Sequence, residues 1–178
     1  PGHSLILTKP LGAGIVMAAL RVGMAGDAAA GAAVASMERL NRYAAECMAG
    51  FSISACTDIT GFGLLVHALE MAAGSATVVL YPDALPALPQ AADYANEYLV
   101  TAAGQRNRNR AEGVTCVDAL PFAVQELLFD PQTSGGLLIA VDSGEAGELV
   151  KRIREAGDTS AAVIGEVAPK SGRQVAFR

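Results

Sequence analysis

Short apolar runs alternate along this chain with stripes at helical spacing. Residues 4–8, Ser-Leu-Ile-Leu-Thr, form a compact apolar run closed by Lys9 and Pro10, which predicts a strand followed by a proline-opened helix. Leu11, Ile15, Ala18, Ala19 and Val22 then recur at helical spacing. A second, long helix is expected over 28–48, with Val34, Met37, Leu40, Ala44 and Cys47 on its apolar stripe and Gly50 ending it. A buried strand is expected over 51–57, running into Asp58, and a helix over 64–73 carrying Leu65, Leu69 and Ala72.

The second half continues the mixture. A strand is predicted at 77–81, then a connection punctuated by Pro82, Pro86 and Pro89, then a helix over 90–103. Residues 104–113, rich in arginine and asparagine, predict an exposed loop. An apolar helix or strand at 122–129 precedes a strand at 137–141, and Ala146, Leu149, Val150 and Ile153 mark a helix over 145–156. Strands at 161–167 and 174–177 finish the chain. Without strict strand-helix alternation, the expected class is α+β around a mixed β-sheet.

Composition narrows the reading. At 178 residues, with 52% hydrophobic and 17% charged residues, the chain predicts one folded domain and excludes a disordered segment. No run approaches the roughly 18 charge-free, large apolar residues of a membrane span, and no secretory signal is evident, so the cytoplasm is the expected compartment. A formal charge of −5 offers no basic field for nucleic acid or anionic lipid, so any phosphate binding must be local. Cys47, Cys56 and Cys116 form no CxxC pair, which argues against a disulfide framework or a structural zinc. The start at Pro1, with strand-like sequence by Leu5, reads as a piece of a longer protein.

Two segments carry candidate chemistry. Asp58-Ile59-Thr60-Gly61-Phe62-Gly63 joins a strand to a helix through a glycine-rich turn, where a carboxylate can share a magnesium ion with waters and ATP phosphates. The same residues also serve simply to cap a helix or close a turn. Thr133-Ser134-Gly135-Gly136 combines two hydroxyls with unhindered backbone N–H groups, the ingredients of an anion cradle, although a tight turn has the same composition. Lys9 is placed either to meet a phosphate or to make a surface ion pair. His67 lacks a second metal-type ligand at helical spacing and reads as structural. Arg106, Arg108 and Arg110 read as a solvated surface with phosphate or partner contact as the alternative, and Cys56 as an inert buried thiol.

Three segments taken together, Leu7-Thr8-Lys9-Pro10-Leu11-Gly12, the Thr57 to Leu65 stretch with His67, and Asp130-Pro131-Gln132-Thr133-Ser134-Gly135-Gly136-Leu137-Leu138, resemble the C-terminal domain of selenophosphate synthetases (selenide, water dikinases), within the AIR synthetase-related superfamily. The resemblance covers nearly the whole chain. It implies a three-layer α+β domain with partial ferredoxin-like topology spanning 1–178, without the family's N-terminal catalytic domain. It further implies an enzyme converting ATP, selenide and water to selenophosphate, AMP and phosphate with Mg2+. Asp58 matches the family's metal-binding aspartate, although Ile59 stands where the family motif has valine. Lys9, Thr60, Gly61, Thr133, Ser134 and Gly135 are the phosphate-facing candidates. The reactive cysteine or selenocysteine and its lysine belong to the N-terminal domain, which is also the expected partner and the main builder of a homodimer, so the piece alone is expected to be inactive. A sister ATP-dependent enzyme of the superfamily and a non-catalytic module are the alternatives.

Overall fold

A computed structural model describes residues 1–113 and 117–178; Cys116 lies outside the described residues. Among these residues six strands form one sheet: β1 (His3–Leu7), β2 (Ile53–Asp58), β3 (Thr77–Leu80), β4 (Leu137–Asp142), β5 (Ala162–Ala168) and β6 (Val175–Phe177), in the order β2-β4-β1-β5-β3-β6. All neighbours are antiparallel except β3 and β6, so the sheet is mixed as expected. β1 and β3 flank β5, while β4 and β5 flank β1. These two interlocked split β-α-β units are the ferredoxin-like part of the topology.

Helices cover both faces, giving three layers. One face packs α1 (Ala13–Arg21), α2 (Asp27–Glu38), α4 (Gly63–Ala72), α5 (Ala91–Asn96) and α7 (Phe122–Phe129) into a core around Leu5, Leu7, Leu64, Leu128 and Leu138. The other packs α3 (Arg42–Cys47) and α8 (Ala146–Glu155) against Ile6, Ile139 and Val141. Strand alternation sends Ile6 and Ile139 to one core and Leu5, Leu7 and Leu138 to the other. Among the described residues no helix is long and apolar enough to cross a membrane.

Several elements differ from the sequence expectation, each for a tertiary reason. Proline does not open α1. Leu11 instead bridges Ala87, and Gly12, at φ +106, turns the chain into the helix where a Cβ would lie 2.6 Å from that of Ala91. The long helix over 28–48 is two helices, because Arg39 is extended and pairs with Asp158 while Asn41 donates to the Gly135 carbonyl at 2.8 Å. Val34 and Leu40, expected on a buried stripe, are exposed. The helix expected over 90–103 ends at Asn96, with Tyr98 in the left-handed region.

Residues 104–113 are not a loop. They belong largely to α6 (Ala102–Arg110), capped by the Thr101 hydroxyl, which accepts from Gly104 N at 3.0 Å. The helix is tied down by the buried Asn107 and by the Arg108–Glu126 ion pair at 2.5 Å. The strand expected to be buried, β2, is a half-exposed sheet edge, and Cys56 upon it is exposed rather than buried.

Candidate functional site

The three segments singled out in the sequence meet at one end of the sheet. β2 ends and β4 begins side by side, with Asp58 paired to Leu137, and Leu7 at the end of β1 pairs Leu138. Backbone bonds stitch the loops beyond these strands: Ile59 N donates to Gly136 O at 2.8 Å, Gln132 N to Thr60 O at 3.0 Å, and Leu137 N to the Thr8 hydroxyl at 2.8 Å. Gly135 and Gly136 permit this closeness. A Cβ on Gly135 would stand 2.2 Å from the Ile59 carbonyl oxygen, and one on Gly136 would stand 2.5 Å from Lys9 N. Both glycines are buried, their carbonyls accept from Asn41 and Ile59, and the absence of a Cβ on each is what lets the loops pack this closely.

Exposed above this junction are Asp58, Gly61, Thr133 and Ser134. The Asp58 carboxylate accepts no hydrogen bond among the described residues, so it caps no helix and its oxygens are free. Gly61 has nothing within 4 Å of a notional Cβ, leaving room for close approach. Ser134 is held at φ +50, a left-handed conformation that a serine adopts only when its surroundings impose it.

Lys9 imposes part of that. Its Nζ donates to Ser134 O at 2.8 Å, Ser36 O at 3.1 Å and Arg39 O at 2.5 Å, and the side chain is buried. Three carbonyls use all three ammonium protons. Lys9 therefore has no donor left for a phosphate and makes no surface ion pair, which corrects both readings of it. It caps the C-terminus of α2 and clamps the Ser134 turn from behind. Burial pushes its pKa below the usual lysine range, against the raising influence of Asp158.

His67, expected to be structural, is engaged within the turn and its own helix. Thr60 N–H donates to Nε2 at 3.2 Å, so Nε2 is the acceptor nitrogen and Nδ1 faces Glu70 Oε2 at 3.3 Å. The Thr60 hydroxyl lies 3.1 Å from the same Nε2. Thr60 is thus engaged by the histidine and shapes the turn. Partial burial, and after it the Asp58 charge, push the pKa of the exposed Cys56 thiol up, which disfavours the thiolate.

Other residues that matter here escaped the sequence reading. Asn107 donates at 2.9 Å to both Gly61 O and Phe129 O, locking the Asp58 turn to the chain entering the 130–136 segment. Its signal was the 104, 107, 111 spacing, a buried stripe inside a polar run. Asp130 caps α1 from outside: its Oδ2 accepts from Gly14 N and Gln132 Nε2, each at 2.9 Å, while Gln132 Oε1 accepts from Ala13 N at 3.3 Å. Burial raises the Asp130 pKa from 3.8 to about 7 in spite of those donors. Arg108 pairs Glu126, and Arg110 lies over the Phe62 ring at 4.6 Å and faces Glu70, so neither is a free cation.

Among the described residues no group of three His, Cys, Asp or Glu is arranged to hold a metal. A single open carboxylate fits Mg2+ only as one ligand among substrate phosphates, waters and other carboxylates.

The model of the family described as AIR synthase related protein, C-terminal domain, matches residues 1–177. A selenide, water dikinase of Desulfitobacterium hafniense strain Y51 is 59% identical over 178 residues, covering 100% of this chain and 52% of the relative. The chain spans about half the length of the relatives it matches. Among solved structures, hydrogenase maturation protein HypE in complex with ATP superposes with a TM-score of 0.68 at 19% identity, covering 99% of this chain and 47% of that one. Thiamine-monophosphate kinase of Stenotrophomonas maltophilia K279a superposes with a TM-score of 0.62 at 15% identity, covering 99% and 50%. At such identities these two establish the fold alone. The chain belongs to the AIR synthase related protein C-terminal domain family.

Proposed function

We propose that this chain is the C-terminal domain of a selenide, water dikinase and that it contributes Asp58 to the Mg2+-ATP site of the complete enzyme. The observation that carries the reading is 59% identity to such an enzyme over the full length of the chain. The geometry supports it, because the sheet end presents a free carboxylate, an unhindered glycine and two hydroxyls together. In this reading Asp58 is the metal ligand, while Gly61, Thr133 and Ser134 face the phosphates. Thr60, Gly135 and Lys9 act behind them as positioning residues. Bound Mg2+ supplies charge neutralisation of the polyphosphate. The chain's own residues hold the phosphates in place and contribute no general base.

The remaining metal ligands, the nucleophile and the selenide site come from the other half of the protein. The isolated domain therefore forms no selenophosphate from ATP and selenide. Phosphorus NMR of the full-length protein with ATP, Mg2+ and selenide tests the assignment: selenophosphate, AMP and phosphate are the expected products. ATP consumption without selenophosphate would refute it.

A further inference from the structure

A cleft of about 580 Å³ opens between the C-terminal half of α2, the residues just after β1, the 87–89 segment and the 157–160 turn. Small-molecule sites occupy about 300–1,000 Å³. Ala32, Ala35, Leu88 and Pro89 form an apolar wall, and Arg39, Ser36, Thr159 and Ser160 stand among the polar lining.

Arg39 is fixed on one side only. Its Nε donates to Asp158 Oδ1 at 3.2 Å, and its Nη2 donates to Asp158 Oδ2 at 3.4 Å and to the Ala156 carbonyl. Gly157 packs against the guanidinium, and the Tyr43 ring stacks on it at 4.0 Å. Nη1 has no hydrogen bond among the described residues, and neither do the hydroxyls of Ser36, Thr159 and Ser160. Lys9, which must be an ammonium to serve three carbonyls, adds a second positive charge. Among the described residues Asp158 is the only acid in the lining, so these groups leave the cleft one positive charge in excess within a chain of net charge −5. A held guanidinium with an open edge, beside unused hydroxyls and an apolar wall, matches a ligand with an anionic head and an apolar body.

We infer that this cleft binds a phosphate monoester with a small apolar body, its phosphate on Arg39 Nη1 and the hydroxyls of Ser36, Thr159 and Ser160. Several donors suit a tetrahedral oxyanion better than a planar carboxylate. The site is separate from Asp58 and does not depend on the proposed metal role.

Titration of this chain with phenyl phosphate, followed by backbone amide NMR, tests the inference. Saturable shifts are expected at Ser36, Thr159 and Ser160, with inorganic phosphate and benzoate each binding about tenfold more weakly. Arg39→Ala weakens phenyl phosphate by about tenfold or more, the scale of a charged hydrogen bond. Because that variant also strands Asp158, Ala35→Phe provides a second test: it fills the cleft from an exposed helix position and abolishes binding. Asp58→Ala leaves binding unchanged, which separates this inference from the proposed metal site. Absence of saturable shifts, benzoate binding as tightly as phenyl phosphate, or full binding by Ala35→Phe overturns the assignment.

Discussion

Replacing Lys9 with methionine keeps the unbranched stem and removes only the ammonium. In the wild-type chain that group is buried and donates to Ser36 O, Arg39 O and Ser134 O. Two of these carbonyls lie at the end of α2, where a cation is favourable, and the third belongs to a serine held at φ +50. Hydrogen bonds to a charged group contribute about 1.5–3 kcal/mol each, while desolvating the ammonium offsets part of their sum. The expected net loss is about 3–5 kcal/mol, in the range seen when one partner of a buried charged arrangement is removed. Urea unfolding of wild type and Lys9→Met at equal protein concentration measures it. Lys9→Arg does not restore stability, because a planar guanidinium cannot direct three donors to these carbonyls. A loss below about 1 kcal/mol would refute the clamp and return Lys9 to the phosphate-facing set.

Three further outcomes follow from the same junction. Between roughly pH 4 and 7 an unfolded Asp130 is ionised while the folded one keeps its proton, so the folded state binds more protons and unfolding free energy falls as pH rises. That contribution amounts to about 4 kcal/mol across the window, and Asp130→Asn removes this part of the slope in urea titrations run at a series of pH values; an unchanged slope contradicts the burial argument. Asn107→Leu leaves the Gly61 and Phe129 carbonyls unpaired and costs about 2–4 kcal/mol by chemical denaturation, whereas Arg106→Ala on the exposed side of the same helix costs less than about 0.5 kcal/mol. Gly135→Ala, whose new Cβ would meet the Ile59 carbonyl at 2.2 Å, lowers the melting temperature markedly, while Gly61→Ala, with open space around it, leaves the fold intact.

The strands were legible because their apolar runs are local: 4–8 and 137–141 became β1 and β4, and the Ala146, Leu149, Val150, Ile153 stripe became the buried face of α8. Elements set by contacts distant in sequence were not. The break between α2 and α3 depends on Lys9, Asp158 and Gly135, none of them near residue 40 in sequence. α6 is held by Asn107 against backbone carbonyls of two other elements, which no propensity scale contains. Whether β2 is an edge strand follows from sheet order, and with it the exposure of Cys56. Within the candidate site, Asp58 and Ser134 were readable as polar residues beside glycines. The close packing that the glycine pair permits and the carbonyls that Lys9 clamps were not readable, because both depend on what stands behind the loop.

In the proposed assignment Asp58 offers its carboxylate to a metal shared with ATP in the complete protein. Calorimetric titration of Mg2+ into the full-length protein, saturated with a non-hydrolysable ATP analogue, tests it directly against Asp58→Asn, a variant of nearly equal shape at an exposed position. Mg2+ affinity at least about tenfold weaker is expected in the variant, equivalent to about 1.4 kcal/mol, with unchanged thermal stability in the absence of metal and nucleotide. Equal Mg2+ affinity in the two proteins would contradict it.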